Sequence, residues 1–258
     1  MPRDDAWCGA GAGSWLRRWW RALAAELLAT ALLVWLGLAA LVPVRGASSV
    51  ALAHPALAFG SVIVANAMAF GPASGAHMNP AVTLAALLYG ELAAAPALLY
   101  VLAQLAGATL GFAALQATSP EAAMQHECGV TTPAPGVEPA AAAALEAALT
   151  AVLVLALCGA WAAHDPARPD PTVPVKIGFV VSGLVFAGGH ATGASLNPAR
   201  SFGPALLQGV WRDHWVYWAG PLAGAALAAL LHRFVLRERG APRLAPAADV
   251  ELPLNDKP

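Results

Sequence analysis

The motif Asn-Pro-Ala occurs twice in this chain, as Ser74-Gly75-Ala76-His77-Met78-Asn79-Pro80-Ala81 and as Thr192-Gly193-Ala194-Ser195-Leu196-Asn197-Pro198-Ala199. The two asparagines are 118 positions apart (197 minus 79), a little under half of the 258 residues. An asparagine before a proline favours a turn, and a proline at the first helical position is preorganised for helix initiation. The sequence therefore predicts two helix starts, one in each half of the chain.

The composition is that of a membrane protein. Hydrophobic residues make up 59% of the chain and charged residues 11%, and the mean hydropathy is +0.61, whereas soluble domains are about 25% charged. The net charge of -1 gives no indication of a nucleic-acid partner. The three cysteines, Cys8, Cys128 and Cys158, fit neither a disulfide framework nor a metal-binding spacing. We therefore expect a chain embedded in the lipid bilayer.

Six apolar runs have the roughly 20 residues that a helix needs to cross a bilayer. They lie at about 20–41, 52–72, 94–116, 140–163, 173–190 and 214–236. Shorter apolar runs follow the two motifs, at about 80–89 and 198–208. At about 1.5 Å per residue each would cover roughly 14 Å, or half a membrane. The sequence thus predicts an all-α membrane protein with six transmembrane helices and two re-entrant half-helices.

The similarity between the two halves extends beyond the motifs. The sequence around Glu26 resembles that around Glu146 at an offset of 120 (146 minus 26). Each predicted half, about 16–116 and about 140–236, holds three spans, and this odd number means that the second half is inserted upside down. Inverted repeats of this kind are typical of channels and transporters whose site lies near the midplane.

Charges on the connecting segments predict the orientation. Arginines stand before the first span and after the last (Arg17, Arg18, Arg21, Arg233, Arg237 and Arg239), whereas the segment 117–139 contains glutamates and no lysine or arginine. Because positive charge is retained on the cytoplasmic side, both termini are predicted to be cytoplasmic and the 117–139 loop external. We expect a multi-pass protein of the cell membrane, with one domain at 16–238 between disordered tails at 1–15 and 239–258.

The repeated motif also predicts the chemistry of a pore. Each half-helix carries about half a positive charge at its N-terminus, and two such ends facing a narrow lumen repel protons and cations while neutral solutes pass. Asn79 and Asn197 would cap the half-helices and present side-chain N–H groups to the lumen. Non-helical backbone is tolerated at this depth only where it lines a cavity. The preceding residues are therefore predicted to line the pore with their backbone: Gly75, Ala76, His77, Met78, Gly193, Ser195 and Leu196.

With these residues the chain resembles the aquaporin, or major intrinsic protein, family. The match covers about residues 16–238, and its most specific blocks contain Asn79-Pro80-Ala81 and Asn197-Pro198-Ala199-Arg200-Ser201-Phe202. The resemblance implies six tilted helices, two re-entrant half-helices, one pore per subunit and a homotetramer. It implies no cofactor and no enzymatic activity.

The resemblance also implies a selectivity filter, at Phe59, Val185, Ala194 and Arg200 by spacing from the two motifs. An arginine within a membrane span is costly and is usually functional. Water-selective members carry a histidine where this chain has Val185, and members of the glycerol-facilitator branch generally carry an aspartate where it has Ser201. The combination most resembles the insect branch of glycerol-permeable aquaporins. We therefore expect water and small uncharged solutes such as glycerol and urea to pass.

Glu26 and Glu146 lie in mid-span at equivalent positions of the two halves. An intramembrane carboxylate is a functional candidate, and a proton relay is one interpretation. The other, which the family resemblance implies and which we favour, is that each carboxylate accepts hydrogen bonds from backbone N–H groups of the adjacent re-entrant loop. His77 is likewise open to two interpretations, a pH-dependent group or a structural hydrogen bond.

Three other functions compete with this channel. A strictly water-selective pore would share the same architecture. A coupled carrier could also be built from an inverted repeat, but the spans hold few charges besides Glu26, Glu146 and Arg200. An intramembrane hydrolase would need Ser195 and His190 as nucleophile and base, and their segment lacks a third orienting group.

Overall fold

The computed structural model describes residues 12–43, 50–119 and 127–237. These residues form eight α-helices and a short π-helical turn: α1 (Ala12–Ala39), α2 (Ala53–Ser74), α3 (Pro80–Tyr89), α4 (Ala94–Thr118), α5 (Pro139–Ala162), α6 (Val173–Thr192), α7 (Pro198–Gln208), α8 (Val216–Leu231) and the turn His232–Leu236. Among the described helices, six are long and apolar enough to cross a membrane, and α3 and α7 are the two short ones. The predicted all-α fold with six spans and two half-helices is confirmed.

The helix ends lie close to the predicted ones, with one difference at the N-terminus. Helix α1 begins at Ala12, inside the segment 1–15 that we expected to be a disordered tail. The helical residues of that segment are alanine, serine and tryptophan besides one glycine, and most of them are compatible with a helix that continues into an apolar span. The rest of that tail and the predicted C-terminal tail at 239–258 lie outside the described residues.

Each half-helix begins as the motif predicts. Asn79 is the N-cap of α3, and its side-chain oxygen accepts a hydrogen bond from the Ala81 N–H at 2.8 Å. Asn197 is the N-cap of α7, and its oxygen accepts from the N–H groups of Ala199 at 3.0 Å and Arg200 at 3.2 Å. A proline follows each asparagine at the first helical position, where its missing N–H leaves no helical bond unmade.

The helices pack in two equivalent sets. Helix α1 packs against α4, α5 packs against α8, and α2 packs against α6. Each half-helix also reaches the other half of the chain, because α3 contacts α8 and α7 contacts α4. The close pairs need glycine, since a Cβ on Gly107 would collide with the carbonyl oxygen of Leu27, and a Cβ on Gly224 with that of Ala147. The packing therefore repeats as the sequence does.

Candidate functional site

Two non-helical segments carry the site, 75–78 between α2 and α3 and 193–197 between α6 and α7. Their first residues, Gly75 and Gly193, are left-handed at φ +83° and +80°. Four non-glycine residues also have positive φ, namely Ala76 (49°), Met78 (54°), Ala194 (43°) and Leu196 (54°). A left-handed conformation costs such a residue roughly 1–2 kcal/mol. Both segments therefore persist only if the surrounding structure holds them.

Glu26 holds the first segment. Its Oε1 accepts hydrogen bonds from the Ser74 hydroxyl at 2.6 Å and the His77 N–H at 2.8 Å. Its Oε2 accepts from the Met78 N–H at 2.8 Å and from Gln104 Nε2 at 2.7 Å. The carboxylate is fully buried. This is the loop-bracing geometry that the resemblance implies for Glu26, with Gln104 as a donor that the sequence analysis did not identify.

Glu146 holds the second segment in the same way. Its Oε1 accepts hydrogen bonds from the Thr192 hydroxyl at 2.7 Å and the Ser195 N–H at 2.9 Å, and its Oε2 accepts from the Leu196 N–H at 2.8 Å. Ser74 and Thr192, whose hydroxyls donate to the two carboxylates, are the last residues of α2 and α6. Because both oxygens of each carboxylate are engaged by loop donors, the geometry favours bracing over a proton relay.

Two further side chains that contact the ends of α2 and α6 were not predicted from the sequence. The hydroxyls of Tyr100 and Tyr217 donate to the carbonyls of the last residues of α2 and α6, at 3.1 Å and 2.9 Å. The two tyrosines are 117 positions apart (217 minus 100), close to the offsets of 118 and 120 that relate the two halves elsewhere. Comparison of the two halves position by position would therefore have identified them.

His77 takes part in a buried side-chain network. Its Nδ1 lies 3.2 Å from Thr83 Oγ1, and that oxygen also accepts from Gln104 Nε2 at 2.9 Å. This contact agrees with the structural interpretation of His77. Within the described part of the chain, Gln104 Oε1 is the buried side-chain polar atom that lacks a hydrogen-bond partner.

The two asparagines connect the halves. Asn79 Nδ2 donates to the Leu196 carbonyl at 2.8 Å, and Asn197 Nδ2 donates to the Met78 carbonyl at 2.7 Å. We expected both amides to donate into the lumen, whereas each gives one N–H to the opposite loop because the two helix ends meet closely. An amide nitrogen has two N–H groups, so one on each asparagine remains for a solute.

A cavity brings together the four predicted filter positions Phe59, Val185, Ala194 and Arg200. Arg200 is 5% exposed and donates from Nη1 to the Gly129 carbonyl at 2.7 Å. Its guanidinium carbon lies 5.5 Å from the centroid of the Phe59 ring, within the range of a cation–π contact. The cavity extends to Asn79 and Asn197 and also touches Ser195 and Leu196. The filter and the paired motif therefore belong to one site.

The rest of the cavity wall is aliphatic. It is formed by Leu33, Leu153, Ile63 and Val181, beside Val185. These residues are equivalent across the repeat, at offsets of 120 (153 minus 33) and 118 (181 minus 63). They could not be predicted from the sequence, because an aliphatic residue in a span has no local feature that separates a pore wall from a lipid-facing surface.

Five of the predicted backbone positions do not line this cavity: Gly75, Ala76, His77, Met78 and Gly193. Their pore-lining role stays a prediction. Pro80, Ala81, Pro198 and Ala199 are buried in the first turns of the half-helices.

The pair required for a hydrolase is not assembled. His190 lies in the last turn of α6 and is exposed. The Ser195 hydroxyl instead lies 2.5 Å from Ser201 Oγ and 2.9 Å from the Asn197 carbonyl oxygen. A serine nucleophile needs a positioned base, and these contacts give Ser195 a structural role.

The family of the chain follows from a direct match. A family model described as Major intrinsic protein matches residues 14–232. The chain belongs to the major intrinsic protein family. One relative is Aquaporin-4 from Mus musculus, 37% identical over 229 residues, which are 86% of this chain and 69% of that protein. Another is Lens fiber major intrinsic protein from Lithobates pipiens, 40% identical over 223 residues, 85% of this chain and 82% of that protein.

A solved structure shows the same fold as this major intrinsic protein. The X-ray structure of the aquaglyceroporin from Plasmodium falciparum matches with a TM-score of 0.75 at 20% sequence identity, over 84% of this chain and 97% of that one. The resemblance that the two motifs indicated is thus confirmed at the level of the family. The predicted likeness to the insect branch stays a prediction.

Proposed function

We propose that this major intrinsic protein is a passive channel for water and small uncharged solutes such as glycerol and urea. The observation that carries the proposal is the two-sided filter. One buried guanidinium, fixed by the Gly129 carbonyl, faces a wall of aliphatic side chains that includes Val185. A polyol presents hydroxyl groups along one edge and C–H groups along the other, so that it can match both sides of such a filter.

Exclusion of ions is supported by the meeting of α3 and α7. Their positive N-terminal ends are capped by Asn79 and Asn197, and the two asparagines line the same cavity. A cation at this point would face both helix ends and could not replace its hydration shell with carboxylates. A coupled carrier is less well supported, because Glu26 and Glu146 are engaged by the loops and do not line the cavity.

We further propose the orientation and assembly that the sequence predicts: both termini on the cytoplasmic side of the cell membrane, and a homotetramer. The two ends of the described domain share one face. Trp19 packs with Leu92 just beyond α3, and the Tyr89 hydroxyl at the end of α3 lies 3.3 Å from His232 Nδ1. The arginines near both ends then fall on one side, the cytoplasmic one by the positive-inside rule. The tetramer rests on the family resemblance, and the mass of the detergent-solubilised protein tests it.

The first experiment is stopped-flow swelling of proteoliposomes under a glycerol gradient, with a sucrose gradient in parallel to score water. We expect both fluxes to exceed those of empty liposomes. Fast water with glycerol at the empty-liposome rate would establish the strictly water-selective alternative. Water at the empty-liposome rate would reject the channel.

Val185→His is expected to lower glycerol flux at least about tenfold while water flux stays within about twofold of wild type. An imidazole opposite Arg200 would narrow the filter and replace the aliphatic wall that a polyol's carbons contact, and one misplaced group in a pocket is worth about 10- to 200-fold. The same swelling assay measures it. Val175→His is the matched control, because Val175 is on the same helix but 42% exposed. Unchanged glycerol flux in Val185→His would show that glycerol passage does not depend on the aliphatic wall at Val185.

Asn79→Asp is expected to weaken the exclusion of protons. The aspartate keeps the oxygen that caps α3, but it loses the donor to the Leu196 carbonyl and places a negative charge against the two positive helix ends. Proton entry, followed with a trapped pH dye under an imposed potential, should rise at least about fivefold. Asn255→Asp makes the same change of charge in the C-terminal segment and should leave proton entry at the wild-type rate. Equal proton entry in Asn79→Asp and wild type would mean that the helix ends are not the barrier.

A further inference from the structure

We propose that Gln208 is a positioning residue of the filter, which fixes the external loop that holds Arg200 and so sets the largest solute that passes. The proposal rests on the channel function proposed above, since only a conducting filter has a selectivity to lose. Gln208 is the last residue of α7 and does not line the cavity. It would therefore act through the loop and not by contact with the solute.

The side-chain amide of Gln208 binds the loop at two adjacent residues. Its Oε1 accepts from the Glu127 N–H at 2.9 Å, and its Nε2 donates to the Cys128 carbonyl at 2.8 Å. The next residue along the loop is Gly129, whose carbonyl accepts from Arg200. Helix α7 thus carries Arg200 in its first turn and Gln208 at its end, and the loop joins the two. Because Cys128 and Gly129 are adjacent, a displacement of the loop at Gln208 would also move the carbonyl that holds the Arg200 guanidinium.

The loop has an unusual backbone where Gln208 binds it. Glu127 and Gly129 have φ +69° and +78°, both in the left-handed region. For a non-glycine residue such as Glu127 this conformation is unfavourable and persists when neighbouring contacts fix it. Glu127 is also the residue whose N–H donates to Gln208 Oε1. The amide therefore selects the loop shape that aims the Gly129 carbonyl at Arg200.

A second anchor lies on the other side of Gly129. The Thr131 hydroxyl donates to Ser201 Oγ at 2.8 Å, and Ser201 contacts Ser195, which lines the cavity. Gly129 therefore stands between two fixed points, Gln208 before it and Thr131 after it. Removal of either anchor would loosen the loop beside Gly129 without detaching it, because the Ala134 N–H also donates to the Ala191 carbonyl at 2.8 Å.

Gln208→Leu is the direct test, because leucine has no polar atoms and cannot bind the loop. We expect the ratio of erythritol to water permeability to rise about three- to tenfold in the swelling assay, the range that loss of one or two hydrogen bonds covers. Gln208→Glu keeps the acceptor for the Glu127 N–H and lacks the donor for Cys128, so its ratio should lie between those of wild type and Gln208→Leu. Gln116→Leu is the matched control, since Gln116 is exposed near the end of α4.

Reactivity of Cys128 gives a readout that does not depend on flux. Cys128 is half-buried, and burial raises the pKa of its thiol, with the Arg200 charge acting in the opposite direction. In a Cys8→Ser, Cys158→Ala background it is the single thiol. Reaction with a membrane-impermeant maleimide should be at least about fivefold faster in Gln208→Leu, because a freed loop exposes the thiol.

Wild-type selectivity and wild-type labelling in Gln208→Leu would overturn the proposal, and so would an equal change in Gln116→Leu. If Gln208→Leu does not fold, Thr131→Val tests the same loop from its other anchor. A raised erythritol ratio in that variant supports control of the filter by the loop, and an unchanged ratio overturns it. Failure of the wild type to conduct water would reject the proposed function instead, while the maleimide rate still reports on the loop.

Discussion

Glu146→Ala is expected to lose at least about nine-tenths of the water permeability per molecule and to unfold at a markedly lower temperature. The substitution leaves the Thr192 hydroxyl and the N–H groups of Ser195 and Leu196 without the oxygens that accept from them. Each buried donor left unpaired costs about 1–3 kcal/mol. The same segment contains two left-handed non-glycine residues, Ala194 and Leu196, whose backbone conformation is unfavourable unless neighbouring contacts fix it. We therefore expect the second loop to leave its position and to block or widen the pore beside it.

The measurement is stopped-flow shrinkage of proteoliposomes, normalised to the amount of folded protein, with thermal unfolding in detergent beside it. Glu146→Gln should give an intermediate result, because the amide keeps one acceptor oxygen and turns the other into a donor that faces loop N–H groups. Glu138→Ala is the matched control, since Glu138 is exposed just before α5. Full water permeability in a folded Glu146→Ala protein would show that the loop stands without the carboxylate.

Arg200→Val is expected to raise the erythritol-to-water permeability ratio about tenfold or more, the largest change in selectivity that a single substitution should give. The guanidinium is the one charged group among the described residues that line the cavity, and it lies against the Phe59 ring. Valine removes both its volume and its hydrogen bond to Gly129. A solute then meets an apolar opening whose size limit is set by Phe59, Val185 and Ala194, and a contact of this kind is worth about 1–3 kcal/mol in discrimination.

Swelling under glycerol, erythritol and sucrose gradients measures the ratio. Arg212→Val serves as the control, because Arg212 is exposed between α7 and α8. Proton entry should change much less than the solute ratio, since the positive ends of α3 and α7 remain in place. An unchanged erythritol ratio would show that the narrowest point lies elsewhere, at the two asparagines.

The sequence predicted the elements that local signals encode. Apolar length predicted the six spans, and the two Asn-Pro-Ala motifs predicted the starts of α3 and α7 at Pro80 and Pro198. Four filter positions came from spacing within a family resemblance, and the cavity brings Phe59, Val185, Ala194 and Arg200 together. These predictions share one property: each depends on residue types at fixed distances along the chain.

The hydrogen bonds that hold the site could not be predicted from residue types at fixed distances along the chain. Gln104, Gln208 and the Gly129 carbonyl act on partners tens of positions away, such as Glu26 for Gln104. A glutamine in an apolar span or a glycine in a loop has many structural explanations, and no spacing separates them. The left-handed backbone of Ala76 and Ala194 could not be predicted for another reason, since alanine has no preference for that conformation. Their backbone is imposed by tertiary hydrogen bonds.

The hydrogen bonds between the two asparagines and the opposite loops bear on how such a chain can change over generations. Each glutamate serves the loop of its own half, but Asn79 ends on a carbonyl of the second half and Asn197 on a carbonyl of the first. If the halves arose by duplication, neither copy was afterwards free to diverge alone, because a change in one displaces an acceptor in the other. Two separately expressed halves would also have to associate before either loop reached its final shape. The two halves are therefore expected to evolve and to assemble together.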